Sequence, residues 1–193
     1  MNPLTRDDLL DKDAYDSSRD DIRRQVMRIK QPRRVHVGDH CTFLFENRET
    51  LLCQVHEMLR TEGRWDRADA IEDELTAYNP LLPGTGELSV TLLIEYETPE
   101  ERAVALARLG GIERHVWLQV GDAEPVLATF DDAQMSDGRV SSVQYIRFRL
   151  SPAQQQALAA EGTVVRLTID HPAYQAQAVL AEETRKALAA DAA

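Results

Sequence analysis

The stretch that decides the fold runs from Leu88 to Glu101 and reads LSVTLLIEYETPEE. Its first nine residues, up to Tyr96, are mostly apolar and predict a largely buried β-strand. Thr98 then occupies the position of a helix N-cap, Pro99 follows it, and Glu101 lies three residues after the cap, where it can complete a capping box. The stretch therefore predicts a strand that leads directly into a capped helix.

The same pattern recurs further along the chain. Residues 142–150 alternate between polar and apolar side chains, and residues 151–154 (SPAQ) repeat the cap, the proline and a polar residue at the third helical position. Each helix is followed by a predicted strand, at 115–120 and at 164–169, with one further strand predicted at 124–130. Two consecutive strand–helix–strand units predict a mainly antiparallel sheet with both helices on one face, the split βαβ arrangement of ferredoxin-like proteins.

The N-terminal part of the chain has a different, helix-rich pattern. The spacing of apolar residues predicts one helix that ends at Pro32, a second over 48–61 and a third over 65–78. Between the first two, residues 33–45 contain two short β-prone runs on either side of Gly-Asp at 38–39. That dipeptide is typical of a two-residue hairpin turn, so a β-hairpin is predicted here.

The clearest linker is the proline- and glycine-rich stretch at 79–86. It separates a helix-rich subregion, 1–83, from the subregion of repeated units, 87–193. The sequence as a whole therefore predicts an α+β fold: a helix-rich N-terminal part with a β-hairpin, followed by a mainly antiparallel sheet. Its length suits one α+β domain over 1–193.

Composition and charge exclude several classes of protein. The chain has 193 residues, 43% of them hydrophobic, and 22 basic against 33 acidic residues give a formal charge of −11. Such an acidic chain is repelled by phosphate backbones and anionic lipids, so we expect neither nucleic acid nor membrane as a partner. The acidic N-terminus lacks the apolar core of a signal peptide, and two cysteines are too few for a disulfide framework. We therefore expect a cytoplasmic protein.

The residues best suited to hold a metal lie between His36 and His56. A two-residue turn would place His36 opposite Cys41, while Cys53 and His56 share one face of the next helix. Thiolates and imidazoles together suit a soft divalent metal such as zinc or iron. The cysteine spacing matches no zinc-finger pattern, so we favour the alternative without a cofactor. In that alternative, Cys41 is a core residue, and Cys53 and His56 lie on a solvated or partner-facing helix face.

Two charged features leave alternatives open. The basic stretch from Arg19 to Arg34 could bind an anion, pair with the acidic helix at 66–74 or with an acidic partner protein, or simply be solvated. His171 follows Asp170, and a carboxylate beside a histidine could orient it as a general base. No nucleophile motif accompanies this pair, so a turn that ends the strand is the favoured interpretation.

Seven short motifs, spread in order over almost the whole chain, carry a family resemblance. They are TRDDLL (5–10), LFENR (44–48), QVHEMLR (54–60), ELTAYNPL (74–81), LLIEY (92–96), VWLQV (116–120) and DHPAY (170–174). On these motifs the chain resembles the bacterial domain-of-unknown-function family 3501. The resemblance implies one domain that should not be divided at the linker, and it implies no catalytic residue, because none is defined for the family.

The resemblance also bears on function. Members of this family are often encoded beside rubrerythrin-like proteins and iron–sulfur proteins of the heterodisulfide-reductase type. This implies a non-enzymatic accessory or interaction protein of a bacterial redox or peroxide-handling system, with one of those proteins as its partner. The absence of phosphate-loop, dinucleotide, metalloprotease and nucleophile-elbow motifs favours the same interpretation. The alternatives are a metal- or small-cofactor-binding protein with redox activity, which would use the Cys/His cluster, and a small-ligand sensor. The sequence leaves enzymatic activity and oligomeric state undecided.

Overall fold

A computed structural model describes residues 1–131 and 140–192 of the chain. The contacts between Cα atoms divide the chain into two compact units. We name them the helical unit, Met1–Gln31 with Glu46–Leu82, and the sheet unit, Pro32–Phe45 with Pro83–Ala193. The predicted linker coincides with the third boundary between them, after Leu82. The predicted hairpin, however, belongs to the sheet unit, because its apolar side chains are part of that unit's core. That the two units form one domain stays a prediction.

The helical unit is built from three helices, α1 (Lys12–Lys30), α2 (Arg48–Thr61) and α3 (Ala68–Tyr78). Side-chain caps fix two of their starts: Asp11 caps α1, and Asn47 accepts a hydrogen bond from the Thr50 N–H at the start of α2. The predicted end of the first helix before Pro32 is confirmed. The helices bury an apolar core that consists of Leu4, Tyr15, Leu51, Val55, Leu59, Trp65, Ile71, Leu75 and Leu82.

The sheet unit combines nine strands and three helices in its described residues. The strands are β1 (Arg34–Val37), β2 (Cys41–Glu46), β3 (Glu87–Ile94), β4 (Val116–Val120), β5 (Val126–Leu127), β6 (Thr129–Phe130), β7 (Val143–Arg149), β8 (Val165–His171) and β9 (Tyr174–Val179). The helices are α4 (Pro99–Arg108), α5 (Pro152–Ala159) and α6 (Glu182–Ala192). One sheet has the order β1-β2-β3-β7-β6 and the other the order β5-β4-β8-β9.

Both predicted helix starts in the sheet unit are confirmed. The Thr98 side chain accepts a hydrogen bond from the Glu101 N–H, and the Ser151 side chain accepts one from the Gln154 N–H. Both capping boxes are complete, with a proline in the first turn of each helix. The repeated sequence pattern therefore produces two strand–helix–strand units, β3-α4-β4 and β7-α5-β8.

The pairing of these units corrects the predicted topology. The α+β class and the antiparallel pairing are confirmed, but the two strands of each unit lie in different sheets. β3 pairs antiparallel with β7, and β4 pairs antiparallel with β8, so two sheets replace the single ferredoxin-like sheet. Alternation of polar and apolar residues determines which face of a strand is buried. It does not determine the neighbouring strand, and for this reason the sequence pattern could not separate the two arrangements.

The chain passes from one sheet to the other at Ala128. The strand predicted at 124–130 is in fact two short strands: β5 pairs with β4 in one sheet and β6 with β7 in the other. Between them, the N–H of the buried Ala128 donates to the carbonyl oxygen of Val116 over 2.8 Å. One apolar core therefore serves both sheets. Within the described ranges, none of the helices combines the length and apolar character that crossing a bilayer requires.

Candidate functional site

The turn of the β1–β2 hairpin differs from the predicted one. It runs through residues 38–40, and the register pairs His36 with Thr42 and Val37 with Cys41. His36 therefore does not lie opposite Cys41, as the two-residue turn predicted. Because side chains alternate between the two faces of a strand, the extra turn residue leaves an exposed His36 and a buried Cys41 on opposite faces.

Tyr174, the first residue of β9, fixes this turn. Its hydroxyl donates a hydrogen bond to the Val37 carbonyl oxygen over 2.7 Å and accepts one from the His40 N–H over 3.1 Å. Gly38 has a φ of +68°, and a Cβ at this position would lie 2.5 Å from the Tyr174 hydroxyl oxygen. Glycine is therefore needed both for the backbone conformation and for the close approach of the hydroxyl. Burial raises the pKa of Tyr174 to about 12, so the hydroxyl remains a donor.

The turn holds the side chain of His40 in one orientation. The Nδ1 atom lies 3.0 Å from the Glu95 carbonyl oxygen, and the ring stacks on Tyr96 with 4.0 Å between ring centroids. Since a carbonyl oxygen can only accept, Nδ1 carries the proton, and the neutral ring has its lone pair on Nε2. Within the described ranges Nε2 has no hydrogen-bond partner, so it is available for a hydrogen bond with a ligand.

His40 and Tyr96 line an open pocket of about 640 Å³, which we name the His40 pocket. The charged residues that line it are Glu97, Glu100, Glu101 and Arg108. Three carboxylates and one guanidinium give the pocket a formal charge of −2. Val104 also lines it and is 54% exposed. The pocket thus combines a stacked aromatic wall, an exposed apolar side chain and excess negative charge.

Most of these charged groups are free to interact with a ligand. Glu101 accepts a hydrogen bond from the Thr98 N–H in the capping box of α4. The carboxylates of Glu97 and Glu100 and the guanidinium of Arg108 form no ion pair with any described residue. Carboxylates beside aromatic rings suit an ammonium or guanidinium group, which gains from both. The pocket is therefore chemically suited to bind a cation that also offers an apolar stem.

Comparison with known proteins identifies the family. The family model for proteins of unknown function, DUF3501, matches residues 3–192. The chain belongs to the DUF3501 family. The DUF3501 fold is similar to the crystal structure of a novel protein of unknown function from Burkholderia pseudomallei K96243, with 40% sequence identity and a TM-score of 0.92. That similarity covers 98% of this chain and 99% of the other. No curated protein matches the sequence.

Cys41 of this DUF3501 chain is a core residue, in agreement with the favoured interpretation. It is 1% exposed and belongs to the same apolar cluster as Phe43 and Phe45. Burial raises the pKa of its thiol to about 12. At neutral pH the side chain is therefore a protonated, apolar group.

The structure corrects the placement of Cys53 and His56 on a solvated helix face. Cys53 is 8% and His56 is 3% exposed. The His56 ring stacks on Tyr15, with ring centroids 4.6 Å apart, and its Nε2 accepts a hydrogen bond from the Leu10 N–H over 3.0 Å. Burial lowers the pKa of His56, while its other nitrogen bonds the Leu52 backbone. α2 buries more than the one apolar stripe that its sequence shows.

The four residues predicted to bind a metal are placed in pairs. His36 and Cys41 lie on opposite faces of the hairpin in the sheet unit, whereas Cys53 and His56 lie on α2 in the helical unit. Among residues 1–131 and 140–192, no group of three or more His, Cys, Asp and Glu is arranged to hold a metal ion. Metal binding by these DUF3501 residues stays a prediction that metal analysis tests.

The basic stretch on α1 pairs mainly with one residue of α2. Arg19 forms two hydrogen bonds of 2.7 Å with the Glu57 carboxylate, and Arg23 adds a third at 3.2 Å. The Tyr15 hydroxyl donates to the same carboxylate over 2.7 Å. The bonds from Arg19, with those from Tyr15, lower the pKa of Glu57 to about 2. The predicted pairing within the molecule therefore exists for Arg19 and Arg23, but their acidic partner is Glu57 and not the acidic helix α3.

Near the end of β8, Asp170 contacts His115 and not its neighbour His171. Asp170 orients His115, with 2.9 Å between its Oδ1 and the His115 Nδ1. His171 is instead buried, with Nδ1 bonded to the Ala173 N–H and Nε2 3.1 Å from the Gly110 carbonyl oxygen. It thus shapes the turn after the strand, as the favoured interpretation held. Only the β4–β8 register brings His115 beside Asp170, and this register is not visible in the sequence.

Proposed function

We propose that this protein is a non-enzymatic accessory protein that binds a partner protein through the His40 pocket. The observation that carries the proposal is a preorganised aromatic wall next to unpaired carboxylates. His40 is fixed by Glu95 and Tyr96, and the carboxylates of Glu97 and Glu100 have no ion pair among the described residues. A lysine or arginine side chain of the partner would meet an aromatic face and two carboxylates in one place.

Two properties of the pocket favour binding over catalysis. The pocket is open and its glutamates are exposed, whereas enzymes exclude water around the groups that react. Its described lining also contains no serine, cysteine or lysine that could act as a nucleophile beside the His40 Nε2. The pocket is therefore suited to recognise positive charge and hydrogen-bond donors on a ligand.

We further infer that the partner belongs to a redox or peroxide-handling system. The resemblance to family 3501 supports this, since its members are often encoded beside rubrerythrin-like proteins and iron–sulfur proteins of the heterodisulfide-reductase type. Burial raises the pKa of both thiols in the chain, Cys41 and Cys53, so neither is an activated thiolate. In this proposal the protein contributes recognition, and the partner carries the redox centre.

Capture of the partner from cells tests the proposal. Tagged wild-type protein is compared with the double variant Glu97→Lys/Glu100→Lys and with a control, Glu49→Lys/Glu72→Lys. Both variants change the net charge equally, but the control residues are exposed positions of the helical unit. We expect a protein that is retained by the wild type and the control and reduced at least about tenfold by the pocket variant, since reversed charges repel a basic segment.

Isothermal titration of the purified partner then measures affinity in low and high salt. We expect binding that weakens as salt rises, because exposed charges are screened. Equal capture by the pocket variant and the wild type would contradict the proposal, and so would a protein that is always recovered alone. Mass spectrometry of the captured protein decides whether it contains iron–sulfur or rubrerythrin-like sequences.

A further inference from the structure

A second groove lies on the sheet that contains β4 and β8. It has a volume of about 400 Å³ and is lined by Trp117, Gln119, Glu124, Pro125, Thr168 and Asp170. Trp117 pairs directly with Thr168 in the β4–β8 register, so both lie on the same face of the sheet. We name this feature the Trp117 groove. It shares no lining residue with the His40 pocket.

The indole ring in this groove is held by one carboxylate. The Trp117 Nε1–H donates to the Asp170 Oδ1 over 3.2 Å, and the His115 Nδ1 lies 2.9 Å from the same oxygen. The His115 ring is in turn set edge-on against His171, with centroids 5.0 Å apart. Desolvation opposes ionisation of Asp170, but the bonds from His115 and Trp117 outweigh it and lower its pKa. The carboxylate is therefore ionised at neutral pH.

This arrangement adds little to stability. The Asp170 side chain is 56% exposed and that of His115 is 30% exposed. Exposed pairs of this kind contribute roughly 0–1 kcal/mol. The hydrogen bonds of Asp170 instead orient the Trp117 indole, whose Nε1 edge faces the carboxylate. The ring therefore forms a fixed wall of the groove.

The groove offers hydrogen-bond acceptors in excess of donors. The Asp170 Oδ2 and the Glu124 carboxylate have no partner among the described residues. The Gln119 amide is already used, since its Nε2 donates to the Ala123 carbonyl oxygen and its Oε1 accepts from Arg166. A matching ligand must donate several hydrogen bonds, carry positive charge and present a flat surface. A guanidinium group has all three properties, with five donors in one plane that stacks on aromatic rings.

We propose that the Trp117 groove is a binding site for a guanidinium group, which stacks on Trp117 and donates hydrogen bonds to Asp170 and Glu124. The guanidinium can come from free arginine or from an arginine side chain of a peptide. The site is separate from the His40 pocket, and it does not depend on the function proposed for that pocket.

The two tryptophans of the chain make a direct test possible. Trp65 is 8% exposed, and its Nε1–H donates to the Leu10 carbonyl oxygen in the helical unit. In a ¹⁵N-labelled sample each indole gives one signal, and Trp117→Phe identifies that of Trp117. We titrate with N-acetyl-arginine-methylamide and with urea, its neutral planar counterpart. The expected result is a saturable shift of the Trp117 signal with the arginine compound alone, while the Trp65 signal stays in place.

A matched pair of variants locates the contact. Glu124→Gln should weaken binding of N-acetyl-arginine-methylamide at least about fivefold, since a charge-assisted bond is lost. Asp122→Asn removes the same charge at an exposed position outside the groove lining, and it should bind as the wild type does. Tighter binding of free L-arginine than of the capped compound would identify a small-molecule site, and equal or weaker binding a peptide site.

Three results would overturn the proposal: a shift that never saturates, an equal response to urea, or unchanged affinity in Glu124→Gln. None of them would affect capture of a partner through Glu97 and Glu100, so failure of this proposal and failure of the proposed function can be told apart.

Discussion

His56 of the helical unit and His40 of the sheet unit have opposite environments. In the helical unit, the His56 ring stacks on Tyr15 and on Trp65, with ring centroids 4.6 and 5.8 Å apart, and both of its ring nitrogens are hydrogen bonded. In the sheet unit, His40 is fixed through Nδ1, and its Nε2 has no partner in the described part of the chain. The difference is geometric, because a residue in a turn projects beyond the strands while a residue on a packed helix is enclosed.

Glu57 shows the same contrast with Glu97 and Glu124. Glu57 of α2 is surrounded by three donors, Tyr15, Arg19 and Arg23, and functions as a structural anion. Glu97 and Glu124 of the sheet unit are exposed and form no ion pair with the described residues. Side chains whose hydrogen-bonding groups are all paired stabilise the fold. Side chains that are held in place but keep an unpaired polar group can bind a ligand. His40, Glu97 and Glu124 are therefore the groups of this comparison that can bind a ligand.

The largest expected effect is on the free energy of unfolding. It tests whether unpaired charges are confined to the surface of the sheet unit and are absent from its core. The described part of the sheet unit contains a buried ion pair, in which Arg33 donates to Asp191 over 2.9 and 3.0 Å, with side chains 11% and 8% exposed. Arg33→Ala leaves a buried carboxylate unpaired and should lower the free energy of unfolding by about 3–5 kcal/mol in urea titrations.

Lys12→Ala, which breaks an exposed pair with Asp16, is the control and should cost less than about 1 kcal/mol. A loss of similar size in Arg33→Ala would show that the interior of the sheet unit tolerates unsatisfied charge. The contrast with the helical unit would then extend into the core.

The next prediction concerns the turn that carries His40. Gly38→Ala combines left-handed backbone strain with a clash against the Tyr174 hydroxyl, and it should cost about 2–4 kcal/mol. Gly162→Ala is the matched control, because its φ is +77° and nothing lies within 4 Å of the added Cβ. It should cost only about 1–2 kcal/mol. Equal melting temperatures of the two variants would mean that Tyr174 does not press on the turn.

His56 provides a smaller effect with a pH signature. Burial holds its pKa below the ordinary value, so the unfolded chain takes up a proton first and stability falls as the pH drops below about 6.5. His56→Phe keeps the ring stack but leaves the Leu10 N–H unsatisfied, which should cost about 1–3 kcal/mol at pH 7.

The same variant should also show a weaker dependence of stability on pH between 7 and 5. Urea titrations at both pH values measure this. A variant that keeps the full wild-type dependence would show that another group titrates, and that His56 is not the closed histidine of the comparison.

The smallest expected effect concerns metal. Since His56 has both nitrogens bonded and His36 lies away from Cys41, equimolar zinc should raise the melting temperature by less than about 1 °C. For the same reason, protein purified without chelator should contain less than about a tenth of an equivalent of zinc or iron. A closed structural site would bind the metal tightly enough to be nearly full after purification. Stoichiometric metal would restore the predicted Cys/His site.

Local features of the fold were predictable, and long-range ones were not. The starts of α4 and α5 follow from four consecutive residues each, and both are confirmed. The register of the hairpin depended on a single turn residue, His40, which the Gly-Asp signal at 38–39 did not reveal. The exchange of strand partners between β3-α4-β4 and β7-α5-β8 depended on contacts that alternation does not encode.

The candidate sites also combine local features, which the sequence predicts, with long-range contacts, which it does not. Asp170 was selected from the sequence because it is next to His171, yet its real partner, His115, is 55 residues away. The polar alternation of β4 did place His115 and Trp117 on one face, which was the one signal available before the register was known. The His40 pocket had no signal, since it joins a turn residue to a helix face from a distant part of the chain.

The position of the hairpin along the chain has a consequence for synthesis. Residues 32–45 leave the ribosome between the two segments of the helical unit, but the sheet that they join is complete only when β7 has emerged. Until then Phe43, Phe45 and Cys41 lack the part of the core that β7 and the elements after it supply in the finished protein. Such an apolar strand pair is a natural binding site for chaperones and a natural starting point for aggregation. Slow translation between residues 82 and 149 would lengthen that exposure, so the nascent chain is most vulnerable in the hairpin that later positions His40.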